Sequence, residues 1–469
     1  VKKLRKIKLP HTLVLIYIMV VLTVIATWVV PGGEYQRIEK DGRTIPVADS
    51  FQFAEGRPQG LGALFISPIK GFIEAAYIIV FVFVVGGAFA IIQETGAITA
   101  FIHNLALKFG ESKALRALLI PVTMIIFSLG GAVFGMCEET MPFVLIFVPL
   151  ALSLGYDTIV GVSIPFVGAA AGFAGAFFNP FTVGIAQGIA DIPLYSGLGY
   201  RVIIWTIGTA IAIFIVMRYA SRLLKNPKIS PTYEEDQEKR TSLDLDTPDK
   251  EKVDLLGRHK LVLYFFLGGM ILLVFGILKF KWYINEIAGL FLALGIISGI
   301  LGRLNSEKIA KAFVAGAKDM INAALIIGCA RAILVVATDG KILDTALYYM
   351  AQSISRFHPI ISSQLMFVCQ CVINFFVHSG TAQAALTMPI MAPLGDLVGI
   401  TRQTTVFAFQ LAEYINPILP TSGVTMGVLG LARLRWEKWA KWFLPLLIIW
   451  VLFGFLTLIP PVLTHWGPG

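Results

Sequence analysis

Charge is scarce in this chain: Asp, Glu, Lys and Arg make up 14% of its 469 residues, against about a quarter in soluble domains. With 57% of residues apolar and a mean hydropathy of +0.78, that scarcity excludes an ordinary water-soluble fold. Cysteine is sparse too. Cys137, Cys329, Cys369 and Cys371 lie in apolar stretches without CxxC spacing or a neighbouring histidine set, so they indicate no disulfide framework or zinc site and read as packing thiols. There is no nucleophile paired with a base, no metal-ligand cluster and no phosphate-binding loop, which leaves a membrane-embedded enzyme or an ATP-driven pump unsupported. His378 precedes Ser379, but adjacent side chains seldom aim at each other and no third partner stands nearby.

What the chain has instead is a series of apolar runs of about 20 residues, each long enough to cross roughly 30 Å of hydrocarbon. It reads as an all-α polytopic membrane protein with about nine transmembrane helices. The runs cover residues 11–30, 71–93, 158–190, 200–219, 261–278, 285–302, 312–337, 402–430 and 442–460. The first is too long for a signal-peptide core and ends in VVPGGEY rather than at a small-residue cleavage site, so it reads as a retained helix. The net charge of +9 comes from basic residues beside span ends: VKKLRKIK before the first run, Arg218, Arg222, Lys225 and Lys228 after another, and RLRWEKWAK before the last. Such clusters mark cytoplasmic ends, placing the N-terminus inside and the C-terminus outside the cell membrane. The expected partners are the lipid bilayer and a small-molecule substrate, with no nucleic acid.

Two further apolar blocks, 114–155 and 360–398, break at their centres, at GMCEET and HSGTAQ. Short halves joined by small polar residues suit re-entrant hairpins, because irregular backbone at membrane depth is tolerated only against protein or water. Residues 31–60 form a long outer loop whose KDGR turn suggests a small β-hairpin. Residues 221–260 have the charged composition of a flexible cytoplasmic linker.

The linker separates similar halves: residues 1–220, with hairpin 114–155 and interrupted helix 158–190, and residues 285–469, with hairpin 360–398 and interrupted helix 402–430, joined through a connecting helix at 261–284. A shift of 244 residues takes Cys137 to Thr381, Pro149 to Pro393 and Gly155 to Gly399, and FFNPFTVG answers YINPILPTSG. One repeat starts from the cytoplasm and the other from outside. Inverted repeats with interrupted helices point to a secondary transporter whose site lies at the repeat interface. A channel should not need paired hairpins that occlude its path.

Proline within a span removes a backbone donor and frees carbonyls that must find other partners. At Asn179-Pro180 and Asn416-Pro417, freed carbonyls with Thr182, Thr421 or Ser422 hydroxyls suit a small cation, while half-helix N-termini at the hairpin tips suit a carboxylate. The alternative is that these prolines only kink their helices. The first tip carries Glu138, Glu139 and Thr140; the second carries Ser379, Gly380, Thr381 and Gln383 without charge. Glu413 stands one turn before Asn416. Three carboxylates against Arg331, read as the only arginine deep in a span and a possible partner of Glu413, leave negative charge for coupling cations, protons or a cationic substrate. Glu74, His103, Asp191 and Asp319 lie near span ends and read as interfacial residues.

Through GGEYQR, GMCEETMPF, FFNPFTVGIAQ, HSGTAQAALTMPIMAPL and EYINPILPTSG, nearly the whole chain resembles the DcuC-type (anaerobic C4-dicarboxylate) carriers, and within them the YfcC branch, of the ion-transporter superfamily. The resemblance implies a homodimeric elevator-type transporter, with sodium or proton coupling and no other cofactor. Possible sodium ligands are Cys137, Asn179, Thr381 and Asn416. Dicarboxylate and citrate branches carry Ser-Asn-Thr at their tips, where this chain has Ser379-Gly380-Thr381 and Met136-Cys137-Glu138. The resemblance implies C4-dicarboxylates as cargo for DcuC-type relatives and basic amino acids of the arginine and ornithine kind, carried by antiport, for YfcC-type ones; the charge count favours the second, with Glu138, Glu139 and Glu413 balancing the cation and the Ser379–Thr381 tip receiving the carboxylate. A sodium- or proton-coupled organic-anion carrier is the alternative.

Overall fold

A run of leucine, isoleucine, valine and alanine that must leave water closes every backbone hydrogen bond within its own segment, and the helix does this. The computed structural model describes residues 12–467, apart from 41–42, 48–49, 99, 102–103, 105–112, 243–255, 281 and 283. Its helices are α1 Thr12–Val29, α2 Leu61–Glu74, α3 Ala76–Glu94, α4 Lys113–Phe134, α5 Thr140–Ser153, α6 Thr158–Ala174, α7 Ile185–Ile189, α8 Leu198–Lys225, α9 Tyr233–Ser242 and α10 Gly257–Phe280. They continue as α11 Ile284–Leu301, α12 Ser306–Asp319, α13 Ile321–Asp339, α14 Leu343–Ile354, α15 Pro359–Phe376, α16 Gly380–Leu397, α17 Arg402–Leu411, α18 Gly423–Leu431, α19 Trp436–Thr457 and α20 Ile459–Leu463.

Among the described residues, seven helices are long and apolar enough to cross a membrane: α1, α3, α8, α11, α13, α15 and α19 continued through α20. The difference from nine has specific sources. The runs 158–190 and 402–430 are broken rather than continuous, and α15, expected as half a hairpin, is itself 18 residues long. The 261–278 run lies in α10, a continuous helix of 24 residues with three side chains outside the described residues, and is not among the seven counted. The runs 71–93 and 312–337 each contain a break, at Ala75 between α2 and α3 and at Met320 between α12 and α13.

The broken pairs match in length: α2 and α12 have 14 residues each, α3 and α13 have 19 each, and α1 and α11 have 18 each. They pack crosswise, α2 along α13 and α3 along α12 and α11, with α1 also on α13. Small residues permit the approach, since a Cβ on Gly71 would strike the Gly328 carbonyl. A second body forms around the broken helices, where α4 and α8 pack on α6, and α15 and α16 pack on α17.

Among the described residues, the all-α expectation is corrected in the 31–60 loop, where strands flank the KDGR turn. There β2 Arg37–Lys40 pairs antiparallel with β3 Arg43–Pro46, Ile38 opposite Ile45, and β1 Gly33–Glu34 pairs with β4 Gln52–Phe53. Arg37 holds this cap to Asp344 on α14 at 2.8 Å, and Phe51 stacks on Tyr348 at 4.1 Å.

The flexible reading of 221–260 is corrected for the part that is described. Helix α9 docks through Asp236, which accepts from the Thr158 backbone N–H at 2.9 Å and from the hydroxyls of Thr158 and Thr232. Lys239 donates to the Ala432 carbonyl at 2.9 Å, just past α18, while Glu235 meets Arg435 and Lys438. Charge that composition assigns to solvent is spent here on capping helix ends.

Candidate functional site

The first tip begins where Gly135 adopts φ +75, a left-handed turn that ends α4. The chain then folds Glu139 back on itself: its Oε2 accepts from the Cys137 N–H at 2.9 Å, and the Thr140 hydroxyl donates to the Cys137 carbonyl at 2.6 Å. Glu139 is buried and Glu138 half-buried.

The first broken helix ends at Ala174 and restarts at a π-turn, Pro180–Gly184, leading into α7. Asn179 caps the restart, its Oδ1 accepting from the N–H groups of Phe181 at 2.8 Å and Thr182 at 3.2 Å, with Pro180 at the first position where no donor is needed. Its Nδ2 and the Thr182 hydroxyl are buried without a hydrogen-bond partner.

The second broken helix tightens from α17 into a 3₁₀ stretch, Ala412–Ile418, and restarts as α18 under Ser422, whose hydroxyl accepts from the Thr425 N–H at 3.3 Å. Asn416 donates to Glu413 Oε2 at 3.1 Å and to the His378 carbonyl at 3.4 Å. The carbonyls freed around Pro417 are taken by other groups. Thr425 donates to Asn416 O at 2.8 Å, Trp439 to Pro417 O at 2.7 Å and Trp436 to Ile418 O at 2.9 Å. The Thr421 hydroxyl is buried and unpartnered.

The second tip closes against both breaks. The Thr381 hydroxyl donates to Phe181 O at 3.1 Å, and a Cβ on Gly380 would meet Thr182 Cγ2 at 2.5 Å and Glu413 Oε1 at 3.3 Å. Ser379 is exposed, and Gln383 turns away, donating to Gln370 within the hairpin.

Between these parts lies a cavity of about 20 Å³, lined by Cys137, Thr140, Phe173, Glu413, Asn416 and Pro417 among others. That is space for one water-sized species. Of the four possible sodium ligands, Cys137 and Asn416 share this cavity, while Thr381 and Asn179 meet the backbone around Phe181.

The site is electrostatically one-sided. Glu413 is 1% exposed and lines the small cavity with Cys137, whose N–H donates to the Glu139 carboxylate. Arg331 pairs with Glu74 at 2.8 Å and not with Glu413. Arg331 is also not the most deeply placed arginine. Arg201, read as the start of a span, is 0% exposed, hydrogen-bonded to Gln410 and flanked by the rings of Phe407 and Trp466. Asp319 pairs with Arg433 and Asp191 lies 3.8 Å from Arg402; His103 falls outside the described residues.

Sequence reasoning missed the groups that satisfy the breaks: Trp436, Trp439, Thr425 and Gln410, which donates to Ala176 O at 2.6 Å. The one available signal was the pair of tryptophans three residues apart in RLRWEKWAK.

The chain is 37% identical over 94% of its length, and 94% of the other's, to a protein of Escherichia coli K12 named "Putative basic amino acid antiporter YfcC". It is 28% identical, over 98% of both chains, to an uncharacterized protein of Haemophilus influenzae. Of solved structures, the YdaH transporter of Alcanivorax borkumensis aligns over 98% of this chain and all of its own, at 16% identity and a TM-score of 0.43, too low to carry its fold over. The family model of the C4-dicarboxylate anaerobic carriers matches residues 9–462, so this multi-pass membrane transporter belongs to the DcuC family.

Proposed function

We propose that the protein is a secondary antiporter of basic amino acids, of the arginine and ornithine kind, working by an elevator motion of the broken-helix body against the body of α1–α3 and α11–α13. The observation that carries this reading is Glu413: a buried carboxylate beside the second tip with Asn416 as its hydrogen-bond donor, while Arg331 pairs with Glu74 and Arg201 bonds Gln410. Removing a carboxylate from water costs several kcal/mol unless a cation compensates it. A cationic side chain supplies that compensation when bound. The backbone N–H groups at the start of α16 and the unpartnered Asn179 Nδ2 supply donors for the substrate carboxylate, while the Thr381 hydroxyl holds the tip to Phe181.

The equal helix lengths, the crosswise packing and Gly155 and Gly399 at φ +85 and +77 support two inverted repeats with hairpins at 114–155 and 360–398. The basic clusters support a cytoplasmic N-terminus, an outer C-terminus and the cell membrane as location. The working unit is taken to be a homodimer.

A second reading rests on the cavity itself, whose 20 Å³ suits a cation rather than an amino acid. On that reading Glu413 and Asn416 hold sodium or a proton is carried on Glu413, and the cargo is an organic anion such as a C4-dicarboxylate. Proteoliposomes separate the two. Loaded in turn with arginine, ornithine, a neutral amino acid or succinate, they should exchange the basic amino acids without an imposed sodium or proton gradient. Gradient-driven succinate uptake without arginine exchange would overturn the first reading.

A further inference from the structure

A second, much larger cavity of about 1290 Å³ lies between α13, α18 and the start of α19, on the face where Thr12 of α1 donates to Glu437. Its volume exceeds the 300–1,000 Å³ usual for small-molecule sites. Its lining includes Ile418, the immediate neighbour of Pro417, which lines the small cavity with Glu413 and Asn416. One wall belongs to the body of α12 and α13, through Asp319, Asn322 and Ile326. The other belongs to the broken-helix body, through Met426 and Arg433. The Asp319–Arg433 ion pair bridges the two walls.

Resting on the antiporter reading above, we infer that this cavity is the route by which substrate reaches the site from the side of the α1 N-terminus, and that the Asp319–Arg433 pair is a gate made and broken during transport. The seam beside it is built to move. Gly423, Gly427 and Gly430 lie along α18 with no side chain of their own to interlock: Gly423 faces Ile78, Gly430 faces Ala323, and Gly427 faces Met141 of α5 and then Val82. The gate is one-sided. Glu74 ends α2 as Asp319 ends α12, and Asp191 follows α7 in a left-handed turn as Arg433 follows α18, with φ +53 and +48. Two acids cannot pair, and Glu74 binds Arg331 of the neighbouring helix instead. Among the described residues, the Asp319–Arg433 pair therefore has no counterpart at Glu74 and Asp191.

The test uses the full-length protein in proteoliposomes. A short bifunctional thiol reagent applied to Asp319→Cys/Arg433→Cys should stop exchange, and cleavage of the linker should restore it. Asp319→Arg and Arg433→Asp should each slow exchange at least about threefold, the scale of an exposed ion pair, and the double exchange of charges should recover it. Independently of any substrate, Ile418→Cys and Asn322→Cys should react with a membrane-impermeant maleimide from the α1 N-terminal side only, above the background of the parent protein's own cysteines. Cross-linked protein that exchanges at the unlinked rate, or labelling of Ile418→Cys from the opposite side alone, overturns the gate. If cross-linking stops flux of succinate while arginine is not carried, the substrate assignment falls and the gate stands.

Discussion

Thr381 and Phe181, 200 residues apart, are joined by a hydrogen bond of 3.1 Å from the threonine hydroxyl to the phenylalanine carbonyl. The bond ties the second tip to the restart of the first broken helix, so two segments that share no local sequence form one wall. Thr381→Val removes the donor and keeps the shape. A neutral hydrogen bond is worth about 0.5–1.5 kcal/mol, so the apparent substrate affinity in exchange assays should fall roughly two- to tenfold, and Thr381→Ser should recover most of it.

Glu413→Gln should separate transport from stability. The variant keeps the side chain's size and removes a charge that is buried at 1% exposure. Loss of a hydrogen-bonded charge costs about 1.5–3 kcal/mol of binding, so arginine exchange should drop by roughly ten- to a hundredfold. Thermal unfolding in detergent should be unchanged or shifted upward, because an uncompensated carboxylate no longer has to stay buried. Unfolding at lower temperature would instead mark Glu413 as a structural partner of Asn416.

How much of this was legible in the sequence depends on the range of the interactions. Asn-Pro within an apolar run announces a break because proline removes a donor wherever it stands, and both breaks are where 179–180 and 416–417 place them. Glu138 and Glu139 announce a tip because two carboxylates interrupt an apolar block. The partners of the freed carbonyls were not legible, since Trp439 reaches Pro417 across 22 residues and Gln410 reaches Ala176 across 234. Arg201 was hidden for a related reason: it stands at the start of the 200–219 run, and its burial is decided by Phe407 and Trp466 far along the chain. Composition also misjudged Tyr233–Ser242, where Asp236, Lys239 and Glu235 are engaged by the ends of α6, α18 and α19.

Trp439→Phe should weaken the fold rather than the chemistry. The ring is 0% exposed and its N–H serves Pro417 O at 2.7 Å. Phenylalanine fills most of the space and leaves the carbonyl without this donor, at a cost of about 1–3 kcal/mol. A lower midpoint of thermal unfolding, with substrate affinity nearly unchanged in the folded fraction, checks this.

Docking of α9 should weaken in acid. Burial tends to raise the Glu235 carboxyl, but the Lys438 hydrogen bond and the charges of Lys438 and Arg435 outweigh it and hold the pKa below its ordinary 4.5. For an acid depressed in the folded state, the stabilisation is present above the ordinary value and is lost as pH falls through the folded one. Hydrogen exchange of residues 233–242 should therefore show a larger open population below about pH 4.5, after correction for intrinsic exchange. Glu235→Gln should abolish that pH dependence.

Gly380→Asn carries the comparison with the Ser-Asn-Thr tips of dicarboxylate carriers to a test. Tip, break and carboxylate are in contact here because position 380 has no side chain: an added Cβ meets Thr182 Cγ2 at 2.5 Å, Glu413 Oε1 at 3.3 Å and Phe173 Cε1 at 3.7 Å. The first of these is closer than real Cβ atoms approach, and Thr182 is fully buried with nowhere to withdraw. Asparagine must therefore push the second tip away from the first broken helix and stretch the Thr381–Phe181 bond. Arginine exchange should fall at least about tenfold, beyond what loss of that one bond explains, and Thr182→Ser, which removes the obstructing methyl, should restore part of it. If Gly380→Asn alone exchanged at the parent rate, the tips would not close as tightly as this geometry requires, and the pocket around Glu413 would have to be formed in another way.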